Sequence, residues 1–261
     1  MATDDDRLAH DLAVEAGRRL VVLRGHGGEP DGLRKAGDLM SHEFLSAELA
    51  RLRPGDWVLS EEAADDPGRL TADRVWIVDP LDGTREFGDA GREDWAVHVA
   101  LWERAQAGAG GLTAGAVALP AQEAVLSTVT PPSLPPARPG GRLRVVVSRS
   151  RPAPFLPRMA ELLGADLIPL GSAGAKVAAV LRGGAGAYVH AGGQYEWDSA
   201  APVAVARAAG FHASRIDGRE LSYNQADLLM PDILVCAPAL VGALLDAISS
   251  AQPGETGGSR R

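Results

Sequence analysis

The 261-residue chain is 46% hydrophobic with few aromatics, and 26 basic against 34 acidic side chains leave a formal charge of −8. That length supports one large or two modest domains with a buried core. The negative balance speaks against broad electrostatic attraction to nucleic acid or an anionic membrane. The single cysteine, Cys236, rules out an intrachain disulfide and a cysteine-based zinc site.

Asp4, Asp5 and Asp6 open a stretch with no uninterrupted apolar core, so no signal peptide is expected, and no segment reaches transmembrane length. A soluble, cytoplasmic protein is the expectation. Leu8, Leu12, Ala16, Leu20 and Leu23 recur at helical spacing and predict a first amphipathic helix over 4–24. Gly25 to Gly37, glycine-rich and broken by Pro30, reads as a mobile loop. Asp38 then stands where an N-cap belongs, before a second helix with Leu45, Leu49 and Leu52 on one stripe.

Trp57 to Ser60 is a short strand that runs into Glu61 and Glu62. Val75 to Val78 reads as a buried strand that should stop at Asp79, because Pro80 lacks an N–H and pushes its predecessor toward extended backbone. Trp95 to Trp102 is a third strand, with His98 read as a core or sheet-face residue. Residues 112–119 and 123–129 resemble a hairpin around Pro120. Thr130 to Gly141 holds five prolines and two glycines and is the linker candidate.

Beyond the linker, strands at 143–147, 167–170, 187–190 and 233–236 alternate with helices at 155–163, 173–181, 198–209 and 239–248. That alternation predicts a second, α/β lobe. Two lobes follow, an α+β lobe over 1–130 and an α/β lobe over 142–250. The tail from Gln252 reads as disordered, and Cys236 as a packing residue.

The central stretch is Asp79-Pro80-Leu81-Asp82-Gly83-Thr84. Two carboxylates, free carbonyls, a glycine and a hydroxyl able to cap a helix suit a hard divalent cation beside a phosphate. The same residues also make an ordinary strand-to-helix turn. Asp38, Glu61, Asp79, Asp82 and Asp198 all end predicted strands or open predicted helices. Gathering five acids in one cleft is costly unless cations neutralise them.

With its preceding Trp76-Ile77-Val78, this stretch resembles the metal-binding signature of the inositol monophosphatase superfamily. Ser60-Glu61-Glu62 stands at the expected distance upstream, and Trp197-Asp198-Ser199-Ala200-Ala201 is similar to the C-terminal signature. The resemblance runs from the first helix to about residue 248. It implies a layered αβαβα sandwich of the inositol monophosphatase and fructose bisphosphatase type, an α+β or α/β class. Leu81 to Phe87, with Arg85-Glu86-Phe87 after the threonine, and Leu170 to Lys176 resemble the CysQ-type 3′-phosphoadenosine-5′-phosphate phosphatases more than the inositol phosphatases.

The resemblance implies two Mg²⁺ ions and a looser third near Glu61. Glu61, Asp79 and the Leu81 carbonyl would hold one ion, and Asp79, Asp82 and Asp198 the other. Asp38, Glu61 and the Thr84 hydroxyl would orient and deprotonate the attacking water. The phosphate would rest on Gly83 and Thr84 N–H groups beside Asp82. Ser172, with Lys176 or Arg149, would meet the 5′-phosphate, and His190 and Tyr195 would line the ribose or base pocket. Glu62 and Glu196 are expected to be supporting residues, and Trp76 and Trp197 core. The family's Thr or Ser before the Asp38 position is here Gly37.

The implied reaction is removal of the 3′-phosphate from adenosine 3′,5′-bisphosphate, and from 3′-phosphoadenylyl sulfate as a second substrate, during sulfate assimilation, with sensitivity to lithium. The implied partner is a small phosphorylated nucleotide, with no nucleic acid polymer and no membrane, and a homodimer is left open. An inositol-1-phosphate or fructose-1,6-bisphosphate phosphatase and a non-catalytic nucleotide sensor are the alternatives. No P-loop, GxGxxG, HExxH or GxSxG motif competes.

Overall fold

The computed structural model describes residues 2–106, 110–135 and 141–252. Two helices come first, α1 (Asp4–Gly25) and α2 (Pro30–Leu52). A five-stranded sheet follows, built from β1 (Trp57–Ser60), β2 (Arg74–Asp82), β3 (Ala96–Glu103), β4 (Gly111–Leu119) and β5 (Ala124–Ser127), with α3 (Thr84–Gly88) between β2 and β3. Its strands lie in sequence order; β1 and β2 are parallel and the remaining pairs antiparallel.

The second half builds another five-stranded sheet from β6 (Arg144–Ser148), β7 (Asp166–Leu170), β8 (Ala187–Tyr195), β9 (His212–Ser214) and β10 (Leu229–Cys236), in spatial order β7-β6-β8-β10-β9. Helices α4 (Leu156–Leu163), α5 (Ala173–Leu181), α6 (Glu196–Ala208) and α7 (Val241–Ala251) connect and flank it.

Side-chain alternation on the strands sets the layers. On β2, Trp76 and Val78 pack outward with Leu12, Leu20, Leu45 and Leu49 of α1 and α2. Val75 and Ile77 pack the other way, into a core shared with Val177, Val203, Tyr188 and Ile233. Helices α5 and α6 therefore lie between the two sheets, while Met159 of α4 and Leu244 of α7 cover the far face of the second with Val147, Leu234 and Cys236. The result is a five-layer αβαβα sandwich. Helix α5 is apolar nearly all round, as a helix buried on two sides must be.

The structure corrects several expectations. The stretch from Gly25 to Gly37 is mostly helix: Pro30, with its fixed φ and missing N–H, serves as the first residue of α2 behind an extended Glu29. Asp38 consequently lies inside α2 and caps nothing. Strand β2 does not stop at Asp79 but continues to Asp82. The short β9 and a single turn of 3₁₀ helix at Pro67–Thr71 carry too weak a pattern to be read from sequence. Residues 136–140 of the linker and 253–261 of the tail lie outside the described residues.

Candidate active site

With a period of two, Asp79 shares the inner face of β2 with Val75 and Ile77, while Asp82 should face the opposite way. A bulge changes this. Asp79 opposes His98 and Asp82 opposes Ala96, so three steps on β2 match two on β3. One extra residue turns Asp82 back to the side of Asp79. Pro80 is tolerated there because the bulge needs no ladder donor from it. Its carbonyl accepts from the Ser41 hydroxyl of α2 at 2.7 Å, and Leu81 N–H donates to Asp79 Oδ1 at 3.1 Å.

Gly83 then takes a left-handed φ of +85° and starts α3. A Cβ there would lie 3.1 Å from both Asp94 O and Ser172 Cβ, so glycine is required by conformation and by space. Thr84 is thus the first helical residue, not the cap. Its hydroxyl lies 3.0 Å from the Leu81 carbonyl and 3.2 Å from Asp38 Oδ1. Gly37 lets α2 approach this turn, since a Cβ on it would meet Phe87 at 2.8 Å and Leu81 at 2.9 Å.

Asp198 enters from the second half. It is the third residue of α6 and accepts from Tyr195 N–H at 2.7 Å, which fixes its carboxylate at the helix start. Carboxylate oxygens of Asp79, Asp82 and Asp198 come within 4.8 Å of one another. Glu61, more open to solvent at the end of β1, lies near enough to Asp79, Asp82 and Asp198 for their charges to act on it. Strand β1 pairs directly with β2, Ser60 opposite Val78, which places Glu61 at the cluster.

These acids are electrostatically unlike one another. Burial drives Asp79 well above the usual carboxylate range, reinforced by Glu61, Asp82 and Asp198. Glu61 is pushed up to about 7 by desolvation in the cleft and then by Asp198 and Asp82. Asp198 is pushed up to about 6 by burial and by Asp82. Asp38 also rises to about 6, through burial and Glu62, with the Thr84 hydroxyl opposing.

Asp82 behaves in the opposite sense. Burial would raise it, but His98, Lys176 and Ser172 more than offset that and hold it at about 2. Its Oδ2 accepts from Ser172 Oγ at 2.5 Å and from Gly174 N–H at 2.7 Å. His98 Nε2 lies 3.2 Å from the same oxygen, without in-line hydrogen-bond geometry, while Nδ1–H donates to the Trp197 carbonyl at 3.2 Å. An all-oxygen, multiply anionic donor set whose acids resist ionisation together fits a hard divalent cation.

A cavity of about 260 Å³ opens beside the acids, and its lining includes Asp82, Thr84 and Asp198 as well as Arg85, Arg151 and Lys176. Arg85 and Arg151 form no ion pair among the described residues. Arg151 is the cavity-lining cation that sequence reasoning missed. Arg149, considered in its place, pairs with Glu86, and Arg151 lines the cavity. The cue was two arginines, two residues apart, directly after a strand. Gln194 also lines the cavity and leaves Oε1 without a partner, its amide donating to the Tyr188 hydroxyl at 2.8 Å.

Lys176 is not a surface residue. It is 5% exposed, with Nζ donating to the Gly171 and Ser172 carbonyls at 2.9 and 2.7 Å. Ser172 lines the cavity, but its hydroxyl is committed to Asp82 and to the Ala175 N–H of the α5 cap. His190 lines it too; burial lowers it to about 4, so it is neutral near pH 7 and donates Nε2–H to the Gly192 carbonyl at 2.8 Å. Tyr195 stands outside the lining, 42% exposed and stacked on Trp197 at 4.8 Å. A larger hollow of about 400 Å³, near Arg207, Phe211 and His212, includes none of the clustered acids, so the chemistry belongs to the smaller one.

Fold and site define a five-layer αβαβα protein whose two halves meet in a carboxylate centre suited to metal. The chain belongs to the inositol monophosphatase family, whose model matches residues 7–132 and 139–251. A protein of Mycobacterium tuberculosis (strain CDC 1551 / Oshkosh) named 3′-phosphoadenosine 5′-phosphate phosphatase is 52% identical over 242 residues, covering 89% of this chain and 90% of the relative. Its namesake in Mycobacterium leprae is 49% identical over 253 residues, 92% and 93% of the two chains. Among solved structures, CysQ from Bacteroides thetaiotaomicron superposes with a TM-score of 0.77 at 27% identity, over 89% of this chain and 97% of that one.

Proposed function

We propose that this chain is a Mg²⁺-dependent phosphomonoesterase that removes the 3′-phosphate from adenosine 3′,5′-bisphosphate, with 3′-phosphoadenylyl sulfate as a second substrate, in sulfate assimilation. The reading rests on one observation: a single cavity joins the acid cluster to the unpaired guanidinium groups of Arg85 and Arg151. A substrate with two phosphates would use both sets of groups, and the names of the 49–52% identical relatives point to the same bisphosphorylated nucleotide.

In this reading Asp79, Asp82, Asp198, Glu61 and the Leu81 carbonyl hold two Mg²⁺ ions, with a weaker third near Glu61. Bound cations supply charge stabilisation and an acidified water. The chain's own groups do the rest. Gly83 and Thr84 N–H groups receive the scissile phosphate, and Gly83 leaves room for its approach. The Thr84 hydroxyl, held between Asp38 and the Leu81 carbonyl, fixes the attacking water, and Asp38 accepts its proton. Arg85 and Arg151 hold the second phosphate by charge-assisted hydrogen bonds. His190 and the free Gln194 Oε1 face the sugar.

The test is phosphate release with Mg²⁺ from adenosine 3′,5′-bisphosphate, inositol 1-phosphate and fructose 1,6-bisphosphate. Preference for the nucleotide is expected. Preference for inositol phosphate would overturn the substrate assignment, and nucleotide binding without turnover in metal-replete protein would favour a sensor.

A further inference from the structure

Two ligands of the proposed metal centre, Glu61 and Asp198, are borne by segments that are neither paired in one sheet nor adjacent in sequence. Glu61 begins an exposed connection that leaves β1 and returns as β2 after the turn at Pro67–Thr71. Asp198 sits at the start of α6. What couples them is a buried polar network around Arg69 and Glu196, neither of which lines the substrate cavity.

Arg69 is 1% exposed and donates from all three guanidinium nitrogens. Nε and Nη2 donate to Asp65 at 2.6 and 3.0 Å, Nη1 to Asn224 Oδ1 at 2.6 Å, and Nη2 also to the Gln225 carbonyl at 2.8 Å. Asn224 returns a bond from Nδ2 to the Arg69 carbonyl at 3.3 Å. Glu196, also 1% exposed, is the first residue of α6, two before Asp198. Its two carboxylate oxygens accept the N–H groups of Asn224 and Gln225, both at 2.7 Å. Asn224 adopts a left-handed φ of +59°, and the two successive N–H groups converge on that one carboxylate.

The chain of contacts therefore runs from Asp65, four residues after Glu61, through Arg69 and the Asn224–Gln225 turn to Glu196 and the start of Asp198's helix. Charges this deeply buried are expensive to desolvate, and apolar packing would join the same segments more simply. Directional bonds at every contact instead fix how the two segments sit relative to each other.

We propose that Arg69 and Glu196 are positioning residues, a buried clamp that holds the Glu61 connection against the N-terminus of α6 and so sets the metal affinity of the site. The inference rests on the metal-centre reading above. Residues behind metal ligands typically change affinity by about 10–100-fold when lost, and this clamp acts on two ligands at once.

The test titrates the full-length protein with Mn²⁺, following free ion by electron paramagnetic resonance, and measures hydrogen exchange at residues 61–66. Arg69→Lys keeps the charge but cannot reach both Asp65 and Asn224. It is expected to weaken Mn²⁺ about tenfold and to speed exchange at 61–66, with excess metal restoring turnover. Asp65→Asn loosens only the half-exposed end, and a loss of about threefold is expected. Wild-type Mn²⁺ affinity in folded Arg69→Lys overturns the clamp, as does weaker binding accompanied by uniformly faster exchange. If Arg69→Lys does not fold, unchanged affinity in Asp65→Asn overturns it. Absence of Mn²⁺ binding by the wild-type protein would instead overturn the metal-centre reading.

Discussion

Asp79 and Asp82 stand three residues apart on one strand, yet the protein treats the two sides of its acid cluster differently. The Asp82 side is satisfied by the fold itself: Ser172 Oγ, Gly174 N–H, His98 and Lys176 surround it, and its pKa falls to about 2. On the Asp79 side the described residues supply the Leu81 N–H and other acids, and Asp79 and Glu61 both rise. One side is organised before any ligand arrives, and the other is left for a cation to complete. Such a division gives a site rigid enough to orient a metal and electrostatically hungry enough to bind it.

The sharpest way to break this contrast is the isosteric amide on each side. Asp79→Asn is expected to lower phosphate release about 10³-fold or more. It should also raise the melting temperature of the metal-free protein at pH 8, because it removes one of several mutually repelling acids and keeps the acceptor for Leu81 N–H. Asp82→Asn is expected to be comparably inactive but to move stability the other way. Charge-assisted bonds from Ser172 and Gly174 become neutral ones, a loss of roughly 1–2 kcal/mol. Differential scanning calorimetry in chelator checks both signs, and equal shifts would remove the asymmetry.

Part of this contrast was legible in the sequence. The two-faced apolar run of β2, the acids after it and the Trp197–Ala201 stretch mark where the acids gather, because buried strands and the acids that flank them are local patterns. The facing of Asp82 was not legible, since a bulge adds a residue that period-two counting omits. Pro30 looked like a loop signal among glycines, although proline also starts helices, and so Asp38 passed for a cap. The burial of Lys176 was not legible, because one charge in an alanine-rich helix usually faces water, whereas the middle layer of the sandwich surrounds α5. That Glu86 captures Arg149 was not legible either, because the contact comes from 63 residues away and no local pattern encodes it.

The contrast extends to the cavity, which Arg85 and Arg151 line together with Asp82 and Asp198. Arg151→Gln should raise KM for adenosine 3′,5′-bisphosphate about tenfold, the worth of a lost charged hydrogen bond. KM for adenosine 3′-monophosphate should stay within about twofold. Steady-state kinetics on the pair decides it, and equal losses on both substrates would mean that Arg151 serves the scissile phosphate or the scaffold.

The smallest expected effect is in the pH dependence of the metal-free protein. Asp198 at about 6 and Glu61 at about 7 lie above their ordinary values of 3.8 and 4.5, so the folded state binds more protons than the unfolded chain between about pH 4 and 7. Their stabilising contribution is therefore complete below pH 4 and lost as pH rises through 7. Asp82 runs oppositely: its contribution is complete above 3.8 and lost only as pH falls through about 2, outside this window. A cation takes the place of those protons, so saturating Mg²⁺ should raise the melting temperature by a few degrees more at pH 8 than at pH 6. Glu61→Gln should shrink that difference, whereas a charge-neutral change on the Asp82 side, Ser172→Ala, should leave most of it. A Mg²⁺ shift independent of pH would mean that the Asp79 side does not hold its protons until the metal arrives.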